Sequence, residues 1–348
     1  MTSFKTGLIV GKFCPLHKGH QYLIETALKA CERLVIISYA KPGYLGCETQ
    51  KRRDWLEELY PETIRLVVDD NWLLDRGTSL FKCVPHDDAD EETHRYFTAW
   101  LCHSVLGETA DAIFTSEDYG DGFARAVSEY QRSPAKHICV DKARDVVPIS
   151  GTKIRENPAH NRGYLSDVVF RSFIKKAVFL GGESTGKSSL AEMLAARLGT
   201  QYAPEYGREI WEQKKGQLSF EDLLHIAQTQ IKREASLLPT SRDWLFCDTS
   251  PLTTLFYSDS MFGKTDPELE KLSQLTYDVT FLCAPDFEFV QDGTRQGAAF
   301  RERQHQWYLS ALKQRAIDYV LLKGPMEERL NVVLNTLEID PSLNRVVR

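Results

Sequence analysis

Several things are scarce in this chain, and each scarcity excludes something. Its eight cysteines are scattered over 348 residues with no Cys-x-x-Cys pair, which reads as reduced, cytosolic thiols rather than a disulfide framework. No apolar run approaches a membrane span, and Met1-Thr2-Ser3-Phe4-Lys5 leads straight into a strand without the pattern of a signal peptide. The expected location is therefore cytoplasmic. Positive charge is not in excess. A formal net charge of −6 argues against a general grip on nucleic acid or a membrane surface, while leaving room for a local basic pocket. There is no internal repeat and no low-complexity tract. What is present is an ordinary folded composition, 42% hydrophobic and 26% charged. The length suits two domains, each with its own core.

Just past the middle, Gly181-Gly182-Glu183-Ser184-Thr185-Gly186-Lys187-Ser188 has the spacing of a phosphate loop. The apolar run Ala177-Val178-Phe179-Leu180 before it reads as a buried strand. Leu190, Met193, Leu194 and Leu198 after it mark a helix. The glycines let backbone N–H groups wrap a polyphosphate, and the helix N-terminus adds partial positive charge. In that setting Lys187 reaches the β- and γ-phosphates and Ser188 ligates Mg2+. Gly181 through Ser189 thus form a candidate ATP site, and the loop divides the chain in two.

In the first half, Thr6–Gly11 is a short apolar strand, and Pro15 blocks its continuation. His17 and His20 follow, three apart at the start of a helix whose buried face carries Leu23, Ile24, Ala27, Leu28 and Cys31. Two imidazoles, a helix N-terminus and Lys12 suit an anion whose charge grows during reaction. Arg33–Ser38 and Ile64–Val68 are further strands. Arg52 and Arg53 open a helix against its dipole, which fits either a ligand phosphate or a solvated basic face. Asp69–Glu92 reads as an acidic, solvated loop. Its Cys83-Val84-Pro85-His86 offers two metal-ligand types, but no second pair follows at ligand spacing, so no metal is expected there. Glu91–Leu106 is a helix burying Phe97, Leu101 and Val105. The strand Asp111–Phe114 runs into Thr115-Ser116-Glu117-Asp118-Tyr119-Gly120, at the strand end where open α/β sheets bind ligands, although an ordinary turn and helix cap would use the same residues. After a last strand at His137–Val140, Ser150-Gly151-Thr152-Lys153-Ile154-Arg155 combines an N-cap, a bare backbone and two cations.

In the second half, Glu205, Tyr206 and Arg208 follow the phosphate-loop helix after a short connection. The strand Trp244–Asp248 ends in an acid placed for Mg2+ or a substrate hydroxyl, or simply capping the strand. Beyond the strand Asp278–Cys283, the stretch Gln291–Arg303 holds two glycines and three arginines. It suggests a lid whose Arg295 and Arg301 would neutralise a transferring phosphoryl group, the alternative being a charged surface loop.

Gly11-Lys12-Phe13-x-Pro15-Leu16-His17-x-Gly19-His20 resembles the opening motif of the nucleotidyltransferase superfamily. Its Gly-Lys-Phe form is most similar to the nicotinamide mononucleotide adenylyltransferase half of the bifunctional NadR family. Members fuse that half to a P-loop ribosylnicotinamide kinase, in the order seen here, so the resemblance covers nearly the whole chain. It implies two α/β domains, a Rossmann-like nucleotidyltransferase of the HIGH type over residues 1–168 and a P-loop kinase over 169–348. ATP and Mg2+ would serve both halves, and NAD would be the product. Gly11, Phe13, His17, His20, Ser150, Gly151, Thr152, Lys153 and Arg155 would hold ATP in the first half, with Lys12 joining the catalytic set. Ser116, Glu117, Tyr119 and Gly120 would hold the mononucleotide. Glu205, Tyr206, Arg208 and Asp248 would surround the riboside, with Ser188 and Asp248 on the metal. Some members carry an N-terminal helix-turn-helix repressor domain; a first strand beginning by Thr6 is expected to leave no room for one. The partners implied are small molecules, with no nucleic acid, and a homo-oligomer remains open. Two rival readings share parts of this pattern. Phosphopantetheine adenylyltransferase fused to dephospho-coenzyme A kinase has both motif types but fits the Gly-Lys-Phe opening and the Tyr119 loop less well. An NAD-binding sensor with one or both activities lost would bind NAD without turnover.

Overall fold

Among the described residues two parallel sheets of five strands each organise the chain, one in each of two units, Met1–Phe173 and Ile174–Arg348. The computed structural model describes residues 4–77, 80–116, 119–143, 145–286 and 297–340.

The first unit runs β1 (Phe4–Val10), α1 (Lys18–Ala30), β2 (Cys31–Ser38), α2 (Thr49–Leu59), β3 (Ile64–Val67), α3 (Asp70–Arg76) and α4 (Glu91–Trp100). It continues with β4 (Ala112–Thr115), α5 (Gly120–Gln131), β5 (Lys136–Cys139), α6 (Gly151–Glu156) and α7 (Asp167–Arg171). Sheet order is β3-β2-β1-β4-β5, and every pair is parallel. Leu8 lies opposite Val35 and Ile113, and all three are buried. Helices on both faces of a parallel sheet explain why β1 and β2 are continuous apolar runs rather than alternating ones. The order steps outward from β1 through β2 to β3, and in the other direction from β4 to β5. The carboxyl ends of β1 and β4 therefore flank a topological switch point, where such sheets leave a crevice. Helix α7 stays with this unit: Trp55 Nε1 donates to Ser172 Oγ at 3.0 Å.

The reading of Asp69–Glu92 as a solvated loop is corrected by the structure. Asp69 caps α3 by accepting from Trp72 N, and Gly77 closes it at φ +61°. Leu73 and Val84 are buried in the core, and Phe81 packs edge-on to Phe97. The expected helix over Glu91–Leu106 is α4 followed by one π-type turn at Leu101–Val105. On α1, Leu28 is exposed rather than buried.

The second unit runs β6 (Lys175–Gly181), α8 (Lys187–Leu198), β7 (Tyr202–Ala203), α9 (Tyr206–Gln213), α10 (Phe220–Leu237) and β8 (Trp244–Asp248). Then follow α11 (Pro251–Phe262), α12 (Pro267–Leu272), β9 (Val279–Cys283), α13 (Ala298–Gln314), β10 (Val320–Leu322) and α14 (Met326–Thr336). Sheet order is β10-β9-β6-β8-β7, all parallel. Central β6 places Phe179 opposite Asp248 on one side and Phe281 on the other, and the Phe179 and Phe281 rings stack at 5.3 Å. Leu190, Leu194 and Leu198 of α8 join Leu330, Val333 and Leu334 of α14 in one core. Met193, counted on the same face from spacing, is exposed. Of the expected lid, residues 291–296 lie outside the described residues. The part from Ala298 onward is the start of the 17-residue helix α13, with Arg301 buried on it. Among the described residues no helix is long and apolar enough to cross a membrane.

Candidate functional site

At the carboxyl edge of the first sheet, Gly11 to Cys14 leave β1 and bring the chain to α1. Phe13 takes φ +48°, an uncommon left-handed conformation for an aromatic residue. Burial of its ring, edge-on to His20 at 5.0 Å, holds it there. A Cβ on Gly11 would come within 2.9 Å of that ring, which explains the glycine. His17 is the N-cap of α1. It accepts from His20 N at 3.4 Å while His17 N donates to His20 Nδ1 at 3.4 Å. The two imidazoles stack at 3.7 Å. With each Nδ1 accepting from backbone, Nε2 is the proton-bearing nitrogen of each ring. The helix start therefore presents a paired donor surface next to its own partial positive charge.

These residues open onto a cavity of about 710 Å³, also lined by Lys12, Ser116, Tyr119, Ser150, Gly151, Thr152 and Arg155. Ser150 caps α6 by accepting from Lys153 N, as its sequence position suggests. A Cβ on Gly151 would lie 2.7 Å from Cys14 O, so the second signature packs directly on the first. Arg155 donates to Cys14 O and to Thr152 Oγ1, and its guanidinium lies over the Tyr44 ring at 4.1 Å. Lys12 Nζ pairs with Asp87 at 2.8 Å, and Tyr44 OH donates to the same carboxylate at 2.8 Å. Burial opposes the charge on Asp87, but Lys12 and Tyr44 together outweigh it and hold the carboxyl below the usual range. The hydrogen bond to Asp87, and then burial, in turn push the Tyr44 hydroxyl up.

Several expected contacts are placed differently. Lys153 is exposed and outside the cavity lining. Gly120 starts α5 behind the cavity; a Cβ there would overlap His137 Nε2 at 1.9 Å, so its glycine answers to packing. Glu117 lies outside the described residues. Arg52 is buried and donates to Lys12 O and Ser38 Oγ, bracing the β1 loop from behind instead of facing a phosphate. Arg53 bonds Gln50 and Val67 O. His86 pairs with Asp88 at 2.5 Å. The residues that sequence reading missed are Asp87, Glu91, His94 and Arg95 from the misread acidic stretch and α4, with Tyr39 and Tyr44. The helix brackets Asp69 and Gly77 were the available signal that this stretch is folded.

The second sheet carries the phosphate loop. Gly181 ends β6 at φ +142°, where a Cβ would lie 2.7 Å from Cys283 O; Gly186, at φ +80°, is the N-cap of α8. Lys187 Nζ and Thr185 Oγ1 both donate to Gly182 O, at 2.9 and 2.8 Å, folding the loop about its own carbonyl. Glu183 N donates to Gln304 Oε1 at 3.0 Å, and Arg301 reaches Ser184 O at 3.5 Å. Arg329 is fully buried and donates to Thr185 O, Ala284 O, Gly324 O and Asp286, tying the loop to the end of β9. Its place in an acid-rich helix start gave no sign of that role.

Beside the loop a pocket is lined by Glu183, Lys187, Glu205, Arg208 and Thr249, with Trp211, Leu218, Leu223, Ile226 and Tyr257 as its apolar wall. Glu205 is half-buried overall, but its carboxyl is pushed up by desolvation and then by the Asp248 charge. Burial likewise pushes up Tyr257, whose hydroxyl donates to Glu183 at 3.1 Å. Asp248 is buried at the end of β8, and its Oδ1 has no hydrogen-bond partner among the described residues. A buried carboxylate oxygen left in that state calls for a cation or a hydroxyl. Ser188 is the second residue of α8, at the same carboxyl edge. Ser189 is exposed. Tyr206 stays outside the pocket lining: its hydroxyl meets His225 at 3.4 Å and its ring lies under Arg233. Arg295 lies outside the described residues.

Residues 176–329 match the family described as AAA domain. The chain is 28% identical over 330 residues to the trifunctional NAD biosynthesis/regulator protein NadR of Escherichia coli (strain K12), covering 90% of this chain and 78% of that protein. A crystal structure of NadR protein in complex with NR matches with a TM-score of 0.66 at 18% identity, covering 99% of both chains. Another, in complex with NAD and AMP-PNP, matches at 0.64 and 17%, covering 98% of both. At these identities the structural likeness speaks for the fold. Over 90% of its length, then, this chain is NadR-like.

Proposed function

We propose that the chain is a bifunctional enzyme of NAD biosynthesis. The second unit phosphorylates ribosylnicotinamide with ATP, releasing ADP, and the first unit adenylylates the resulting nicotinamide mononucleotide, releasing pyrophosphate and forming NAD. The observation that carries the reading is that each sheet opens, at its carboxyl edge, onto a pocket bordered by a phosphate-handling motif. The NadR relatives, an NAD biosynthesis/regulator protein and structures in complex with NR or with NAD and AMP-PNP, support the same assignment.

In the first unit the phosphate of the mononucleotide attacks the α-phosphorus of ATP in line with the departing pyrophosphate, and no protein nucleophile is needed. The stacked His17 and His20 donors, Lys12 and Arg155 stabilise charge as it moves onto the leaving oxygens. Lys12 exchanges Asp87 for a phosphate oxygen. Ser116 and Tyr119 line the same cavity and bind the mononucleotide. In the second unit the riboside's 5′-hydroxyl attacks the γ-phosphorus, which the loop amides and Lys187 hold; the bond to the β,γ-bridging oxygen breaks to release ADP, and the hydroxyl proton passes to the Asp248 carboxylate. Arg208 and Glu205 line the riboside pocket. Ser188 and Asp248 would hold Mg2+, and the unpartnered Asp248 Oδ1 fits that group. Mg2+, when bound, neutralises phosphate charge. The substrates are small molecules, and a cytoplasmic setting is part of the same proposal.

Incubation with Mg2+-ATP and either substrate, with products resolved by chromatography, tests the reading. Ribosylnicotinamide should give mononucleotide and then NAD, and mononucleotide alone should give NAD and pyrophosphate. Tight NAD binding with neither turnover would make the chain a sensor. Adenylylation of phosphopantetheine would move it to another pathway.

A further inference from the structure

We infer that Gln230 donates its side-chain amide to a ribosyl hydroxyl of the kinase substrate, and so makes the second unit select ribosides over deoxyribosides. This rests on the kinase reading above. Helix α10 lines the pocket with Leu223, Ile226 and Gln230, three and four residues apart on one face. At about 1.5 Å per residue, Gln230 lies roughly 10 Å along the axis from Leu223. Leu223 belongs with Trp211 and Leu218 to the apolar part of that lining. Gln230 instead meets the start of α9, where its Oε1 accepts from Tyr206 N at 2.9 Å. The preceding residue, Glu205, feels the charges of Asp248 and Lys187. The lining thus combines an apolar set suited to a flat ring with Gln230, Glu205 and the phosphate-loop residues Glu183 and Lys187. A riboside whose 5′-hydroxyl is to reach the γ-phosphorus must put its ribosyl group beside these polar residues.

The amide orientation at Gln230 is fixed. Tyr206 N is one of the helix-start N–H groups that no helical carbonyl serves, and it requires the oxygen. The NH2 group is therefore the other arm. It is buried, on a residue 2% exposed, with no partner among the described residues. Buried donors are rarely left unmade. A ribosyl hydroxyl supplies the missing acceptor and can pass its own hydrogen to the Glu205 carboxylate.

The test is steady-state kinetics of the whole chain on ribosylnicotinamide and its 2′-deoxy and 3′-deoxy analogues, for the unsubstituted protein, Gln230→Glu and Gln230→Leu. Gln230→Glu keeps an oxygen for Tyr206 N and turns the donor into an acceptor of the same shape. Thermal unfolding checks that each variant is folded. The unsubstituted chain should prefer the riboside to one of the deoxy analogues by about tenfold in kcat/KM, the worth of one hydrogen bond. In both variants that ratio should fall to about one through a higher riboside KM, with the KM for ATP moved by less than about twofold. A ratio that survives in both variants overturns the inference while leaving the kinase intact. Failure of the unsubstituted chain to phosphorylate ribosylnicotinamide overturns the functional reading and this inference with it.

Discussion

On the proposed function the two units face one demand, a grip on polyphosphate, and meet it with different materials. The second unit uses backbone. Eight consecutive residues, with left-handed Ser184 and Gly186 and a lysine folded onto the loop, make the cradle. The first unit uses side chains gathered from distant stretches: His17 and His20, Lys12 held by Asp87, and Arg155 laid over Tyr44. A backbone cradle depends on its glycines and on Lys187, the cation folded onto it. A side-chain mesh shares its charge among several groups, each also holding up its neighbours.

The largest expected effects follow from that contrast. Lys187→Ala should lower riboside phosphorylation by about 10³-fold, and His20→Ala should lower adenylylation by about 10²-fold, the range seen for losing one charge-stabilising group. Each should leave the other step within about twofold. His20→Ala should carry a second penalty, because the reciprocal cap on α1 goes with it, at about 1 kcal/mol. Initial rates with each substrate, read beside thermal unfolding, separate the two. Equal losses in both steps from either substitution would mean that the sites are not independent, and the contrast would collapse.

A smaller effect distinguishes the units by pH. Desolvation and then the Asp248 charge push the Glu205 carboxyl up, so it takes its proton at a higher pH than a free carboxylate. If its charged form binds the riboside, kinase kcat/KM falls as the solution is acidified through that raised value. Glu205→Gln should flatten this limb and lower the plateau by about tenfold. Adenylylation, with no carboxylate in its charge-stabilising set, should lack the limb. A Glu205→Gln profile with the wild-type limb intact would assign the titration elsewhere.

The same contrast governs what could be read from the sequence. The phosphate loop is local, so its spacing, its strand and its helix were all legible, as was the Ser150 cap. Of the mesh, Lys12, His17 and His20 were legible from one local stretch, and Arg155 through the resemblance of its motif. Asp87 was not, because its role depends on α3 folding the acidic stretch back against the core. Charge pattern alone favours the solvated reading of such a stretch. Arg52 and Arg329 were missed for a related reason. Helical position makes an arginine look exposed, and only the tertiary fold shows the carbonyls that bury it.

The smallest effect bears on whether the mesh can yield to a ligand. Asp87 titrates below its unfolded value, near ~3.9, because Lys12 and Tyr44 favour its charged form against the cost of burial. Its contribution to stability is therefore present above that unfolded value and is lost as pH falls through the lower folded one. Asp87→Asn removes it throughout. The stability gap between wild type and variant should be greatest near neutral pH and close progressively below about pH 4. Because half of Lys12 is exposed, solvent screening keeps the gap near 0.5–1 kcal/mol, and added salt should shrink it. Urea unfolding at several pH values measures it. A gap that small lets Lys12 leave Asp87 for a phosphate at little cost, as the adenylyltransferase reading requires. A gap above about 2 kcal/mol, beyond the usual worth of an exposed pair, would make the Lys12–Asp87 pair a fixed strut. Lys12 would then be too committed to exchange partners, and the charge would fall to His17, His20 and Arg155.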